Sequence, residues 1–155
     1  MALHMLRTEL NDSLKEALKA KDQRAVATLR LILAALKDRD IAARGKGNSE
    51  GIDEDEILQM LQKMVRQSRD AIEMYQKGNR PELVEKETEE IAVIERFLPK
   101  AMDAEEVKAA IEAVVEETGA NSIKDMGGVM GALKERYAGR MDFGKASALV
   151  KERLV

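Results

Sequence analysis

The chain has 155 residues and a net charge of −3, with 45% hydrophobic, 35% charged and only 3% aromatic residues. This length suits one ordinary domain or two small ones, and the shortage of aromatics predicts an aliphatic core of the kind that helices form. The absence of cysteine excludes disulfides, thiolate metal sites and cysteine catalysis. No apolar run is long enough to span a membrane, and the start of the chain does not resemble a signal peptide. We therefore expect a cytoplasmic protein without a membrane partner.

Hydrophobic periodicity predicts two helices in the first third of the chain. The first carries a leucine stripe that consists of Leu3, Leu6, Leu10, Leu14 and Leu18. Asp22 is placed to cap the second helix. Residues 44–51, with three glycines and no apolar residue, predict a flexible loop after it.

Two more helices follow before the only strong boundary in the sequence. The third helix is expected to start from Asp53 and to stop at Gly78, where we expect the left-handed conformation that glycine adopts at low cost. Pro81 suits the first turn of the fourth helix, which is predicted to run to about Leu98.

Pro99 marks a domain boundary, because it disfavours helical geometry at the preceding residue and the composition changes directly after it. The sequence thus predicts an all-α fold. Residues 1–98 are predicted to form an N-terminal four-helix bundle, and residues 99–155 a compact three-helix domain.

Capping residues and glycines delimit the three C-terminal helices. The fifth is predicted to begin at Asp103 and to end at Gly119, and the sixth to run from Ser122 to Gly139. Asp142 is placed to cap the seventh.

The sixth helix contains three glycines, although a glycine in a helix interior costs roughly 1 kcal/mol relative to alanine. The apolar residues around them keep a helical spacing and predict one buried face, made of Ile123, Met126, Val129, Met130, Leu133 and Tyr137. At about 100° per residue, Gly127 and Gly131 fall on another face, with Gly128 at its margin. Lys124 and Lys134 share that face. A face without side chains indicates the close approach of another helix or of a phosphate-bearing partner.

The last 35 residues have seven basic side chains against four acidic ones, although the whole chain is acidic. This asymmetry is typical of a surface that faces a polyanion, and a simply solvated face is the alternative. Arg140 and Lys145 lie near the predicted start of the seventh helix, where free N–H groups can bind an anion. Asp142 competes for those groups as a cap.

Groups for catalysis or metal binding are scarce. The single histidine, His4, lies at the very start of the chain, and no phosphate-binding loop motif is present. The carboxylates Glu85, Glu87, Glu89 and Glu90 are spaced around a helix and predict a solvated surface. Residues 53–56 have the composition of an acidic first helical turn rather than of a metal site. We predict no catalytic residue, no metal and no cofactor, and hence a binding or accessory protein.

The C-terminal motif resembles the GatB/YqeY tail domain. The resemblance lies in residues 124–131, in Gly139-Arg140-Met141-Asp142 and in Leu149-Val150-Lys151. Upstream segments resemble stand-alone YqeY proteins, namely Thr28-Leu29-Arg30, Ala34-Ala35-Leu36-Lys37, Ala71-Ile72-Glu73-Met74-Tyr75, Lys77-Gly78-Asn79-Arg80 and Phe97-Leu98-Pro99. One departure is Gly128, where the family pattern more often has a larger residue.

The resemblance implies an all-helical protein whose last three helices match the tail of the B subunit of the tRNA-dependent Asn/Gln amidotransferase. That tail grips the elbow of tRNA. The family is associated with a carbon–nitrogen ligase that uses glutamine as amide donor, but nothing in this chain resembles the catalytic domain.

Three functions remain open at this point. The first is tRNA binding through the C-terminal unit by Lys124, Gly127, Gly128, Gly131, Lys134, Arg140 and Lys145. The second is association with an amidotransferase or another aminoacylation factor, with Arg30, Lys37, Arg39 and the loop after Arg44 as a docking surface. The third is a structural helical adaptor. In that case the glycines permit close packing of the fifth or seventh helix, or of the N-terminal bundle.

Overall fold

The computed structural model describes residues 5–155, which contain seven α-helices and no β-strand. The all-α prediction is confirmed. The helices are α1 (Met5–Ala20), α2 (Gln23–Gly45), α3 (Glu54–Lys77), α4 (Pro81–Glu95), α5 (Ala104–Thr118), α6 (Met126–Arg136) and α7 (Phe143–Leu154). Leu3 and His4 lie outside the described residues. The chain divides between Leu98 and Pro99 into an N-terminal unit (α1–α4) and a C-terminal unit (α5–α7), each with its own hydrophobic core.

In the N-terminal unit, α3 and α4 pack along each other, α2 packs on α4, and α1 packs on α2. The large hydrophobic side chains with almost no exposed surface are Leu10, Leu29, Ile32, Ile57, Met60, Leu61 and Ile94. The leucine stripe predicted for α1 is wrong at Leu18, which is 48% exposed because Ala17 occupies the buried position one residue earlier. The predicted solvated glutamates of α4 are wrong at Glu90, which is buried.

Most predicted helix starts are confirmed by side-chain hydrogen bonds. The carboxylate of Asp22 accepts a hydrogen bond from the Ala25 N–H at 3.1 Å, and that of Asp53 accepts one from the Glu56 N–H at 2.9 Å. Pro81 is the first residue of α4, as expected from its missing N–H. These caps depend on nearby residues only, and so the sequence is sufficient to predict them.

The end of α3 differs from the prediction. Gly78 follows the helix with a φ of −84°, and the left-handed residue is its neighbour Asn79, with a φ of 53°. Asparagine tolerates this conformation better than most residues with a side chain. Helix α4 also ends at Glu95, shortly before the predicted Leu98, and a turn leads to Pro99.

The glycine-rich loop after α2 is held in place at its far end. The carboxylate of Asp40 on α2 accepts hydrogen bonds from both terminal nitrogens of Arg7, at 2.6 and 2.8 Å, and from the Ile52 N–H at 2.9 Å. Arg7 also donates to the Ile52 carbonyl oxygen at 2.6 Å. Burial alone would raise the pKa of Asp40, but these hydrogen bonds and the charge of Arg7 hold that pKa below its usual range.

Gly51 fits this arrangement because it has no side chain. Its φ is +87°, and a Cβ atom there would lie 2.3 Å from a carboxylate oxygen of Asp40. The loop predicted to be flexible is therefore tied to α1 and α2 through the backbone of Ile52, directly after Gly51.

In the C-terminal unit, α6 packs on both α5 and α7. The hydrophobic core of this unit consists of Ala110, Ile111, Val114, Val115, Val129, Leu133, Met141, Ala146, Val150 and Leu154. The Asp103 carboxylate caps α5 through the Glu106 N–H at 2.8 Å, and Gly119 ends that helix in the left-handed conformation, with a φ of 67°. Both features confirm the prediction.

The sixth helix is shorter than predicted. Residues Ile123–Asp125 form a 3-10 turn, and the α-helix extends from Met126 to Arg136 rather than to Gly139. Gly139, with a φ of 77°, lies in the turn that follows. Because Ile123 is in the tighter turn, it leaves the predicted buried face and is 48% exposed.

Candidate nucleic-acid interface

The three glycines of α6 lie on its exposed side. Gly127 and Gly128 are in the first turn and Gly131 follows one turn later. A Cβ atom placed on each meets no side chain within 4 Å among the described residues of the C-terminal unit. We call this surface the glycine face, defined by Gly127, Gly128 and Gly131.

The opposite side of α6 provides the packing within the unit. Val129 and Leu133 have no exposed surface and contact the core shared by α5 and α7. The alternative in which the glycines allow α5 or α7 to pack closely is therefore wrong. Substituting the glycines should not disturb the packing of these three helices.

Two lysines flank the glycine face. Lys124 lies in the 3-10 turn before α6, and Lys134 lies three residues after Gly131 and hence on the same side of the helix. Both are exposed, and neither is within 4.0 Å of a carboxylate among the residues that the structure describes. The exposed acid Glu135 follows Lys134 and limits the basic character of this surface. The face thus presents bare backbone between two uncompensated positive charges.

Arg140 is engaged within its own unit. Its Nε donates to the Lys100 carbonyl oxygen at 3.2 Å, and its guanidinium lies 3.6 Å from the Glu106 carboxylate. The Arg140 carbonyl oxygen accepts a hydrogen bond from the Met102 N–H at 2.8 Å. Arg140 therefore fastens the segment before α5 to the turn before α7, and its positive charge faces an acid.

The start of α7 is already capped. One carboxylate oxygen of Asp142 accepts hydrogen bonds from the Gly144 N–H at 2.9 Å and the Lys145 N–H at 3.3 Å. The N–H groups on which the predicted anion site depends are thus occupied by the chain itself. The Lys145 side chain is exposed, and it lies on α7 rather than on the glycine face of α6.

Two arginines that contribute to the basic C-terminal end are neutralised by acids of α5. Arg136 lies 2.5 Å from the Glu117 carboxylate, and Arg153 lies 2.5 Å from that of Glu112. The hydrogen bond and charge of Arg136 lower the pKa of Glu117. The exposed lysine Lys151, which belongs to the Leu149-Val150-Lys151 motif but is not among the predicted RNA-binding residues, has no such partner in the described chain. The positive charge available to a ligand therefore comes from lysines.

The described chain offers little other chemistry. No group of three histidine, aspartate or glutamate side chains within residues 5–155 is arranged to hold a metal ion. No helix in the same range is long and apolar enough to cross a membrane.

A family model described as "Yqey-like protein" matches residues 7–154. Curated relatives include "Altered inheritance of mitochondria protein 41, mitochondrial" from Lachancea thermotolerans, 37% identical over 62% of this chain and 51% of the relative. The proteins of the same name from Kluyveromyces lactis and Saccharomyces cerevisiae are 33% and 28% identical, over 68% and 74% of this chain and 56% and 63% of the relative. The chain therefore spans between about half and two-thirds of the length of these relatives.

These matches correct one prediction and confirm another. The predicted cytoplasmic location is wrong on this comparison, because the matching relatives are named mitochondrial proteins. The resemblance found in the sequence motifs is confirmed by a match that covers nearly the whole described chain. The chain belongs to the Yqey-like protein family.

Proposed function

We propose that this protein binds structured RNA, and tRNA foremost, through the glycine face of α6. One observation carries the proposal: three exposed glycines with open space above them are flanked by the unpaired lysines Lys124 and Lys134. A helix surface without Cβ atoms lets a sugar-phosphate backbone come close to the main chain. Lysine ammonium groups at its edges then neutralise phosphates.

The energetics of α6 support a role for the glycines outside their own unit. Each helical glycine costs about 1 kcal/mol relative to alanine. Within the C-terminal unit no neighbour occupies the space that they leave. A ligand that needs the bare backbone would offset this cost when it binds.

The resemblance to the amidotransferase tail, which grips tRNA, points to the same class of ligand. Shape and phosphate contacts should dominate, as is usual for folded RNA. The chain has only two tyrosines and two phenylalanines, and so base stacking can contribute little. Of the seven residues predicted for the interface, we propose Lys124, Lys134 and the three glycines as direct contacts. Lys145 is a secondary contact, and Arg140 acts by holding the turn before α7.

Reversing the two flanking charges tests this proposal. In the double variant Lys124→Glu/Lys134→Glu, tRNA affinity should fall, and the slope of log affinity against log salt should shrink by about two. Electrophoretic mobility shift across a salt series measures both quantities.

The matched control is Lys63→Glu/Lys108→Glu, which changes the net charge equally at exposed lysines on α3 and α5. An equal loss of affinity in the control, or no loss in the test variant, would contradict the proposed surface.

A second candidate function is docking of the N-terminal unit on an amidotransferase or another aminoacylation factor. The observation in its favour is the exposed side of α2, where Leu31 and Ile41 are each 54% exposed and lie near the exposed basic residues Arg30 and Lys37. Arg39, by contrast, is half-buried. Co-purification of such an enzyme with the intact chain, lost in Leu31→Asp/Ile41→Asp, would support this role. A chain that binds neither tRNA nor such an enzyme would fit a structural adaptor.

A further inference from the structure

A groove of about 370 Å³ opens between α2, α3 and α4 in the N-terminal unit. Each helix contributes an apolar residue to the lining: Leu31 from α2, Met64 from α3 and Ile94 from α4. The polar lining consists of Glu87 and Glu90 on α4, Gln67 and Ser68 on α3, and Thr28 on α2. We call it the acid groove. It lies in the N-terminal unit, and the proposal made for it does not rest on the proposed RNA binding.

Glu90 is a buried acid without a cationic partner. It is 9% exposed and continues the buried stripe of α4 that includes Val93 and Ile94. Over the described chain, no arginine or lysine nitrogen lies within 4.0 Å of its carboxylate. Its hydrogen-bonding neighbour is Glu87, another acid. Buried carboxylates are ordinarily paired with a cation or several donors.

The surroundings of Glu90 leave its negative charge uncompensated. Burial, followed by the hydrogen bond and negative charge of Glu87, raises the pKa of Glu90. Lys86 on α4 and Arg24 on α2 lower the pKa less than these causes raise it. Arg24 is 2.7 Å from the Glu89 carboxylate and is thus already paired. From α3 the groove receives Met64 and the neutral polar side chains of Gln67 and Ser68, and none of its lining residues on that helix is charged.

We propose that the acid groove binds an alkylammonium or alkylguanidinium group. The cationic head lies between Glu87 and Glu90, and the carbon stem lies against Leu31, Met64 and Ile94. The volume is within the range of small-molecule sites, and a mostly apolar lining with a few polar groups is typical of them. The apolar residues that would contact the carbon stem favour an alkyl cation over a bare Mg²⁺ or Ca²⁺ ion, which takes six or more oxygen ligands.

Titration of the full chain with agmatine and n-butylamine, followed by isothermal calorimetry, tests the proposal. Both amines should bind, whereas the neutral analogue 1-butanol should not. Glu90→Gln should weaken amine binding by about tenfold or more, because it removes the charge and keeps the shape. The control Glu85→Gln, at an exposed position on the same helix, should bind as the unchanged chain does.

Two further measurements keep the test decisive if Glu90→Gln does not fold. In the unchanged chain, amine affinity should rise with pH through the raised pKa of Glu90, because the cation needs the ionised carboxylate and displaces its proton. Ser68→Arg should place a guanidinium opposite Glu90. That variant should then exclude both amines and lower the pKa of Glu90, read from the carboxyl chemical shift.

Three results would overturn the proposal. They are no amine binding at millimolar concentration, equal binding of 1-butanol and n-butylamine, or Mg²⁺ binding that Glu90→Gln abolishes while amines do not compete.

Discussion

Glycines in the two units have opposite surroundings. Gly51, in the N-terminal unit, has a φ of +87°, and a Cβ atom there would lie 2.3 Å from Asp40. Gly127 and Gly131, in the C-terminal unit, have ordinary helical backbone and open space above them. The first glycine is required by the fold of its unit. The others are not, and this leaves their surface available to a partner.

Charges in the two units differ in the same way. The side chains of Arg7 and Asp40 are only 17% and 11% exposed and neutralise each other at 2.6 Å. Lys124 and Lys134 are exposed and unpaired in the described chain. The compensated Arg7–Asp40 pair holds its unit together, whereas the uncompensated lysines beside the glycine face are available for a ligand.

The largest expected loss of stability comes from breaking the ion pair between Arg7 and Asp40. Asp40→Ala should lower the free energy of unfolding of the N-terminal unit by about 3–5 kcal/mol, because Arg7 and the Ile52 N–H lose their partner. Urea denaturation followed by circular dichroism measures it. Asp38→Ala, at an exposed position on the same helix, is the control, and an equal loss in both would contradict this explanation.

The same pair predicts a pH dependence. The pKa of Asp40 is lower in the folded state than in the unfolded state. Its contribution to the free energy of unfolding is therefore fully present above the unfolded pKa of about 3.9, and it disappears as the pH falls through the folded pKa. The difference in the free energy of unfolding between the wild-type chain and Asp40→Ala should therefore become smaller at acidic pH.

A smaller loss is expected at the constrained glycine. Gly51→Ala should destabilise the N-terminal unit by about 2–3 kcal/mol, since it combines an unfavourable φ with a clash against Asp40. Gly47 also has a positive φ, +97°, but it has open space around it. Gly47→Ala therefore measures the cost of the backbone conformation without a clash. If the two variants unfold at the same urea concentration, the close approach to Asp40 has no energetic consequence.

The smallest expected effect is a gain in stability rather than a loss. Gly131→Ala should raise the free energy of unfolding of the C-terminal unit by up to about 1 kcal/mol, because alanine is the better helix former and nothing in the unit opposes its side chain.

Gly131→Leu should keep its helicity and lose tRNA affinity. Thermal unfolding followed by circular dichroism shows whether the glycine face is needed for folding or only for binding. Destabilisation of either variant would mean that it is needed for folding.

Local chemistry made much of the fold predictable from the sequence. The caps at Asp22, Asp53, Asp103 and Asp142 are interactions within three residues of the chain. The glycine face was predictable as a side of α6, because helical rotation alone places its residues. Whether that side was packed or open depended on neighbours distant in sequence.

Long-range contacts account for what the sequence did not predict. Arg140 is hydrogen-bonded to a carbonyl group 40 residues away, and Asp40 to a backbone N–H beyond a loop. Asp40 and Glu90 nevertheless carry a local signal that could have been used. Each lies on the buried stripe of its helix, four residues after Leu36 and three before Val93.

Filter binding of the full chain to total tRNA across a salt series, beside an RNA duplex of similar length, tests the RNA-binding proposal most directly. We predict tighter binding of tRNA than of the duplex, with affinity that falls as salt rises and is lost in Gly131→Leu. Absence of tRNA binding at low salt, or binding that is equal for the duplex and unchanged in Gly131→Leu, would contradict it.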